Sequence, residues 1–505
     1  MARSTETDRL IACQRFGLGA RKGVPLPDPR AALQAELATP AGALITTDEI
    51  IAASRTGIIA GSLIDMGGAA PPMSGPEMFA VHLSDEARIA EARRTRKAAA
   101  QMASPAMGND MGGGGMQAGQ MQAAPATTPR PPEPPRVGEL FYRREAQARV
   151  VHAIRQPVGL VERLVMFWSN HFAVSIQKGL PLRALAGPFE REAIRPHVLG
   201  RFEDMLLAVE QHPAMLIFLD NRGSVGPNSR AGKNQKRGLN ENLAREILEL
   251  HTLGVNGGYA QADVTNLARI ITGWTVAGLD ARLAAPGAFA FNAHAHEPGD
   301  HALLGKTYGE WDVRQGAAAL RDLARHPATA RFIAGKLARH FISDDPPKDL
   351  VARLEHSFLE TKGDLRKVIS VLIEAESAWS VPLVKLRTPY EHLIATFRAF
   401  DRVPELPWEI NGALSAAGQP LWGPHGPNGY SDSVDSIAAP EAMKTRLEAA
   451  AATARRMGGP INPLQLAGEL YGSTLSRETH LAISRAETKP QGHAILLMSP
   501  EFLRR

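Results

Sequence analysis

Gly238-Leu-Asn-Glu-Asn-Leu-Ala-Arg-Glu-Ile-Leu-Glu-Leu-His-Thr-Leu-Gly254 decides how this chain is read. Asn240 suits a helix N-cap, its side-chain oxygen taking up an orphan backbone amide, and Gly254 suits the residue just past the last turn. At about 100° per residue, Leu243, Ala244, Ile247, Leu250 and His251 share one arc, while Glu241, Arg245, Glu246 and Glu249 share the other. Glu241–Arg245 and Arg245–Glu249 are i,i+4 pairs, so a salt-bridge ladder accounts for the charged arc without any function. Glu246 and Glu249, at i,i+3 with Asn242 on the same edge, could equally converge on a cation. His251 is the sharper clue, because an imidazole on an apolar arc must find a partner or stay neutral.

The same pattern extends outward. In Leu160–Phe172 the residues Leu164, Phe167, Trp168 and His171 fall on one helical face. His212 ends the segment Leu206–Gln211 and precedes Pro213, a good first residue for a helix over Ala214–Leu219 that Asp220-Asn221 closes. Beyond the tight connector Val255–Tyr259, Ala262–Thr272 buries Val264, Leu267, Ala268 and Ile271, with Asp263 suited to the helix dipole. Helical periodicity also marks Phe202–Gln211, Ala317–Leu323, Ala328–Phe341, Asp349–Phe358, Leu365–Ala375, Pro389–Phe400 and Ala438–Met457. Few stretches alternate with the period of two that strands require. The expectation is an all-α fold: one large multi-helix domain built of helical hairpins.

Residues 101–136 interrupt it. The run Met-Gly-Asn-Asp-Met-Gly-Gly-Gly-Gly and then Pro-Arg-Pro-Pro-Glu-Pro-Pro cannot repay the entropy of ordering, and reads as a flexible insertion. Residues 1–100 are then an N-terminal helical part continuous with the main domain, 137–505. Met102, Met107, Met111, Met116 and Met121 recur within the insertion, and thioethers select soft metals such as Cu(I). With no histidine among them, a low-complexity linker is the better reading.

Bulk properties exclude several classes. The 505 residues carry 57 basic and 52 acidic side chains, a net charge of +5 spread along the chain. A nucleic-acid binder needs a concentrated basic stripe, and Arg93-Arg94-Thr95-Arg96-Lys97 follows Glu86 and Glu91 on what reads as a solvated helix face. The lone cysteine, Cys13, excludes an internal disulfide or a multi-cysteine metal site. The N-terminus lacks the apolar core of a signal peptide, and no apolar run approaches the ~18 residues of a membrane span. A soluble, cytoplasmic protein is expected.

The Gly-, Pro- and His-rich region Gly278–Tyr308 is the longest structured-looking loop, and its His294, His296, Glu297, Asp300 and His301 include a non-specific H-x-H pair. Phosphate-binding loops, H-E-x-x-H helices and G-x-S-x-G elbows are absent, and Gly17-Leu-Gly-Ala20 is too short for a dinucleotide fingerprint. The candidate catalytic residues are His251, His171, His212, Glu246 and Glu249. A divalent or transition metal is the expected cofactor, with His171, His212, His251 and His296 as its ligands.

Several of these segments carry a family likeness. Arg15-Phe-Gly-Leu-Gly19, Phe167-Trp-Ser-Asn-His-Phe172, His212-Pro-Ala-Met-Leu216, Leu219-Asp-Asn221, Asn240–Gly254, Gly258-Tyr259 through Trp274 and His296-Glu-Pro-Gly299 resemble the bacterial family called domain of unknown function 1800. So do Ala338-Arg-His-Phe341, Pro389-Tyr-Glu391 and Ser499-Pro-Glu-Phe502, so the likeness runs from about Leu10 to Arg505. It implies a mainly α-helical fold with no settled activity. It also implies a neighbour from an uncharacterised family numbered 1501, similar to alkaline phosphatases and sulfatases and often exported. The matching positions include His171, His212, Asp220, Asn240, Glu241, Arg245, Glu246, Glu249, His251, Trp274 and His296. Phe218 departs from the family pattern, where many members carry Tyr.

Two functions follow. One is an enzyme with a buried His/Glu site, a metal-dependent hydrolase or oxidoreductase. The other is a non-catalytic helical partner or maturation factor for the phosphatase/sulfatase-like neighbour, its polar groups forming buried structural networks.

Overall fold

Capped, alanine-rich segments fold as helices through most of the chain in this computed structural model, which describes residues 5–39, 74–102, 137–234, 238–404 and 407–505. The insertion expected at 101–136 lies outside the described residues from position 103 onward. In the first half, α1 (Thr5–Ile11) runs into a π-helical turn at Ala12–Phe16 and is followed by α2 (Pro29–Ala38), α3 (Gly75–Met102), α4 (Val137–Arg155) and α5 (Leu160–His171). Next come α6 (Leu180–Phe189), α7 (Phe202–Glu210), α8 (Pro213–Phe218), α9 (Asn242–Glu246) and α10 (Gln261–Ile270). His212 caps α8 in place of a hydroxyl: its Nδ1 accepts the Ala214 amide at 3.1 Å.

The second half holds α11 (Val313–Ala324), α12 (Pro327–Phe341), α13 (Lys348–Glu360), α14 (Leu365–Glu374) and α15 (Pro389–Ala399). It continues with α16 (Pro407–Ala416), α17 (Pro440–Met457), α18 (Pro463–Tyr471), α19 (Arg477–Ser484) and α20 (Lys489–Leu497), and a last short helix covers Pro500–Leu503. The all-α reading holds. No helix among the described residues is long and apolar enough to cross a membrane. On α3, Arg93 and Arg94 are exposed, as a solvated face should be.

The segment 278–308 is more ordered than a loop. It contributes to two antiparallel hairpins, β1 (Trp274–Val276) with β2 (Phe289–Phe291), and β3 (His301–Leu303) with β4 (Lys306–Tyr308). Strands of three residues are too short for alternation to register in the sequence. Leu304 and Gly305 both take positive φ, 50° and 76°, as a two-residue hairpin turn requires.

One apolar core gathers Phe16, Trp168, Phe172, Phe202, Trp274, Phe341 and Trp379. A second joins Cys13 and Phe400 to Leu466, Leu496 and Phe502 of the C-terminal helices. The π turn near the N-terminus therefore reaches both cores, and its arginine is fully buried. Arg15 donates to the carbonyls of Ala378, Val381 and Pro382, so backbone dipoles meet its buried charge. Arg398 does the same with carbonyls of Gly19, Gln156 and Pro157. The segment Arg15–Gly19 is thus a clamp between distant helices.

Candidate active site

Asn240 caps α9 as expected, its Oδ1 accepting the Asn242 amide at 2.9 Å, and Gly254 takes a left-handed φ of 82° just past the last turn. Between them the helix changes period. Ile247–His251 is a π-helical turn, which inserts one residue and rotates the buried face. Leu243, Ala244, Ile247 and His251 are buried as the arc predicted, but Leu248 takes the buried place expected for Leu250.

The charged arc is the ladder its spacing implied. Arg245 stands 3.3 Å from Glu241 and 3.4 Å from Glu249, and Glu241 also accepts from Gln261 and Thr265. Burial raises the Glu246 carboxyl, with the nearby Glu249 charge adding to that shift. Glu246 and Glu249 do not line the pocket described below.

The structure brings His171 and His251 together and keeps the other imidazoles apart. His171 ends α5, and its ring centroid lies 6.3 Å from that of His251. Within the core, His251 Nδ1 is 2.7 Å from Glu210 Oε1, both side chains fully buried. His212 faces Glu192 at 3.6 Å and the edge of Phe189. His296 lies 2.9 Å from the Thr272 carbonyl, in the hairpin region. The four proposed metal ligands are thus divided among three places. Among the described residues, no three His, Cys, Asp or Glu side chains stand where they could hold a metal ion.

Of the expected catalytic residues, His171 lines a well-formed cavity. That cavity has a volume of about 480 Å³, within the usual range for small-molecule sites, and lies between α5, α12, the start of α15 and the segment 419–433. His171 Nε2 is 3.1 Å from the His251 carbonyl, which can only accept, so Nε2 carries the proton. Nδ1 is left as an acceptor, and Lys336 Nζ of α12 donates to it at 2.9 Å. Burial drives His171 well below the ordinary imidazole range, and the Lys336 and His251 charges push the same way. It is held neutral. Burial also pushes the Lys336 ammonium down to about 8; Arg339 repulsion assists and Asp432 opposes. Lys336 pairs with no carboxylate among the described residues, and neither does the exposed Arg339.

The other charges on the pocket wall are neutralised. His340, four residues after Lys336, is 3.1 Å from Asp432 Oδ2, and burial with the Arg505 charge lowers it to about 4. Burial alone would raise Asp432, but its His340 hydrogen bond and the Lys385 charge hold it far below the usual carboxylate range. Lys385 also donates to Asp344 at 2.5 Å. Glu391 completes the capping box of α15 with Thr388 and receives Arg163 at 2.5 Å, while Arg505 Nε stands 2.9 Å away. Burial raises Glu391, yet Arg505 and Arg163 bring it down to about 2. Two buried polar atoms on the wall have no partner among the described residues, the Tyr390 hydroxyl and His340 Nε2. Burial pushes the Tyr390 phenol up to about 12.

The far wall is pinned in place. Asn170, beside His171, exchanges hydrogen bonds with both backbone groups of Tyr430, at 2.8 and 2.7 Å. Gly429 passes so close that an added Cβ would lie 2.4 Å from the Asn170 carbonyl, so no larger residue fits. Trp422 holds a left-handed φ of 51°, a strained conformation for a bulky residue, and its indole donates to Glu190 at 3.0 Å. Glu190 also receives Arg149, whose guanidinium lies 4.5 Å over the Tyr390 ring. Of these pocket residues, sequence reasoning passed over Lys336, Tyr390 and Asp432. The segment Pro389–Glu391 was a usable signal for Tyr390, while Lys336 and Asp432 lie outside the segments that stood out in the sequence.

A mainly helical protein with a polar pocket between its helices is the class these features define. A family model described as "Protein of unknown function (DUF1800)" matches residues 12–504, and the chain belongs to that family. No curated protein and no solved structure matches it.

Proposed function

We propose that the pocket is the active site of an enzyme that transfers protons on a small anionic substrate. Lys336 is its general base, and the Tyr390 hydroxyl is the matching donor. The observation that carries this reading is Lys336 itself: an ammonium without a carboxylate partner, bonded to a neutral His171, and lowered to about 8 by burial. A lysine at that value is part amine near neutral pH, as proton abstraction demands. The charge balance supports an anion, because Lys336 and Arg339 are the unpaired ions on a wall whose carboxylates are already paired. His171 positions the lysine rather than binding a metal in this reading. His251 acts one step back, through its backbone carbonyl. His212, Glu246 and Glu249 have structural roles.

Pyridoxal 5′-phosphate with borohydride tests the site, because its phosphate suits an anion pocket and its aldehyde forms an imine, losing water, only with a neutral amine. Mass spectrometry should find Lys336 labelled ahead of the surface lysines, the yield rising through pH 8 and falling when citrate competes. Labelling spread over exposed lysines, with Lys336 not favoured, would overturn the assignment. If Lys336→Met also retains function in the cell, the non-catalytic partner role becomes the better account.

A further inference from the structure

The loop 289–301, with its several histidines, takes no part in that pocket. It joins segments 228–230 and 310–314 around a second cavity of about 490 Å³, whose wall includes Asn228, Arg230, His296, Glu310 and Trp311. We propose that this cavity binds a neutral carbohydrate.

Three features point to that ligand. Trp311 is 56% exposed although it lines a concavity, and the Arg314 guanidinium lies 5.3 Å over its ring. Arg314 is itself held by Asp312 at 2.8 Å, so the aromatic platform is braced from one side. A large, rigid aromatic face set in a polar cleft suits a ring with an apolar C–H face and polar edges.

His296 supplies the second feature. It is only 9% exposed, and its Nδ1 is engaged by the Thr272 carbonyl at 2.9 Å. Its Nε2 has no partner among the described residues and belongs to a ring that lines the cavity. In the neutral ring that nitrogen is an acceptor, so it calls for a hydroxyl or amide donor from a ligand. An unmet buried polar atom is costly, and a ligand hydroxyl offsets the cost.

Charge is the third. Glu310, Asp312, Arg230 and Arg314 all line the cavity, two acids with two bases, which favours an uncharged ligand over an anion or a cation. The wall is also built in advance. Buried Glu297 holds the Asn228 side chain at 2.5 Å and its amide at 2.8 Å, and an added Cβ on Gly226 would lie 2.5 Å from that carboxylate. A preformed site of mixed donors and acceptors around an aromatic face is what sugar hydroxyls require.

The test is calorimetry, with tryptophan fluorescence, of the full chain against neutral hexasaccharides of glucose, mannose, xylose, galactose and N-acetylglucosamine, with hexagalacturonate as the charged comparison. At least one neutral oligosaccharide should bind and shift the fluorescence. Trp311→Ala should weaken that binding about tenfold or more without changing the melting temperature, since its ring is largely solvent-facing. Arg230→Ala should weaken it less. Failure of every neutral oligosaccharide to bind, binding unaltered by Trp311→Ala, or tighter binding of hexagalacturonate would each overturn the proposal.

Discussion

Lys336 Nζ donates to His171 Nδ1 across 2.9 Å, joining the middle of α12 to the last residue of α5. The bond requires a neutral imidazole of one tautomer. The His251 carbonyl enforces that tautomer by taking the proton of Nε2. The π turn matters here, because it sets the backbone of His251 against the end of α5 while Glu210 holds the His251 ring.

Stability should fall steeply with acid. Burial lowers His171 well below its ordinary range, His340 to about 4 and His392 to about 3. Each folded pKa lies below the unfolded value, so below about pH 6.5 the unfolded chain binds protons that the folded chain refuses, and stability drops as pH falls. Three such groups give a slope approaching about 4 kcal/mol per pH unit between pH 6 and pH 4. Glu391, lowered to about 2, adds a further loss as pH falls below 4.5. Urea unfolding across this range measures the slope, and His340→Gln should reduce it by about one third. A midpoint unchanged from pH 7 to pH 5 would contradict the buried neutral histidines.

Lys336→Met should separate stability from function. It removes a charge that burial penalises and keeps the length of the side chain, so stability at pH 7 should hold or rise by about 1 kcal/mol. Because the folded lysine sits at about 8 against an ordinary 10.5, the wild type should gain stability as pH climbs between those values, and the variant should lose that gain. Calorimetric melting at pH 7 and pH 10 reads both effects. A large destabilisation at pH 7 would make Lys336 a structural residue.

The two faces of the segment Asn240–Gly254 should differ in cost. His251→Ala opens a cavity and leaves Glu210 buried without its partner, so about 3 kcal/mol or more should be lost. Arg245→Ala breaks a ladder of partly exposed pairs and should cost under about 1 kcal/mol. Equilibrium unfolding of both variants ranks them, and the reverse order would sink the assignment of roles.

Much of the helical frame was readable from periodicity, because amphipathic stripes such as Val264, Leu267 and Ala268 announce themselves. The place of His171 and His251 on buried faces was readable for the same reason. The exchange of Leu250 for Leu248 was not, since a π turn leaves no mark in a pattern read at constant period. The three-residue strands escaped for want of length. Most of the pocket escaped too, because Lys336, Tyr390 and Asp432 come from segments far apart in the chain, and spacing within one helix says nothing about which helices meet. His212 lies apart from His171 and His251 and has a local task that its sequence position allows: at a helix start it caps, accepting the Ala214 amide as a serine would.

The most direct measurement is an NMR titration of the lysine side chains in protein labelled with ¹⁵N-lysine, with Lys336→Met to assign the signal. The account predicts one resonance titrating at about 8, absent from the variant and moving to higher pH when citrate occupies the pocket. If the Lys336 signal titrates near the ordinary 10.5 and ignores citrate, the lysine is a solvated surface charge and the proposed site does not exist.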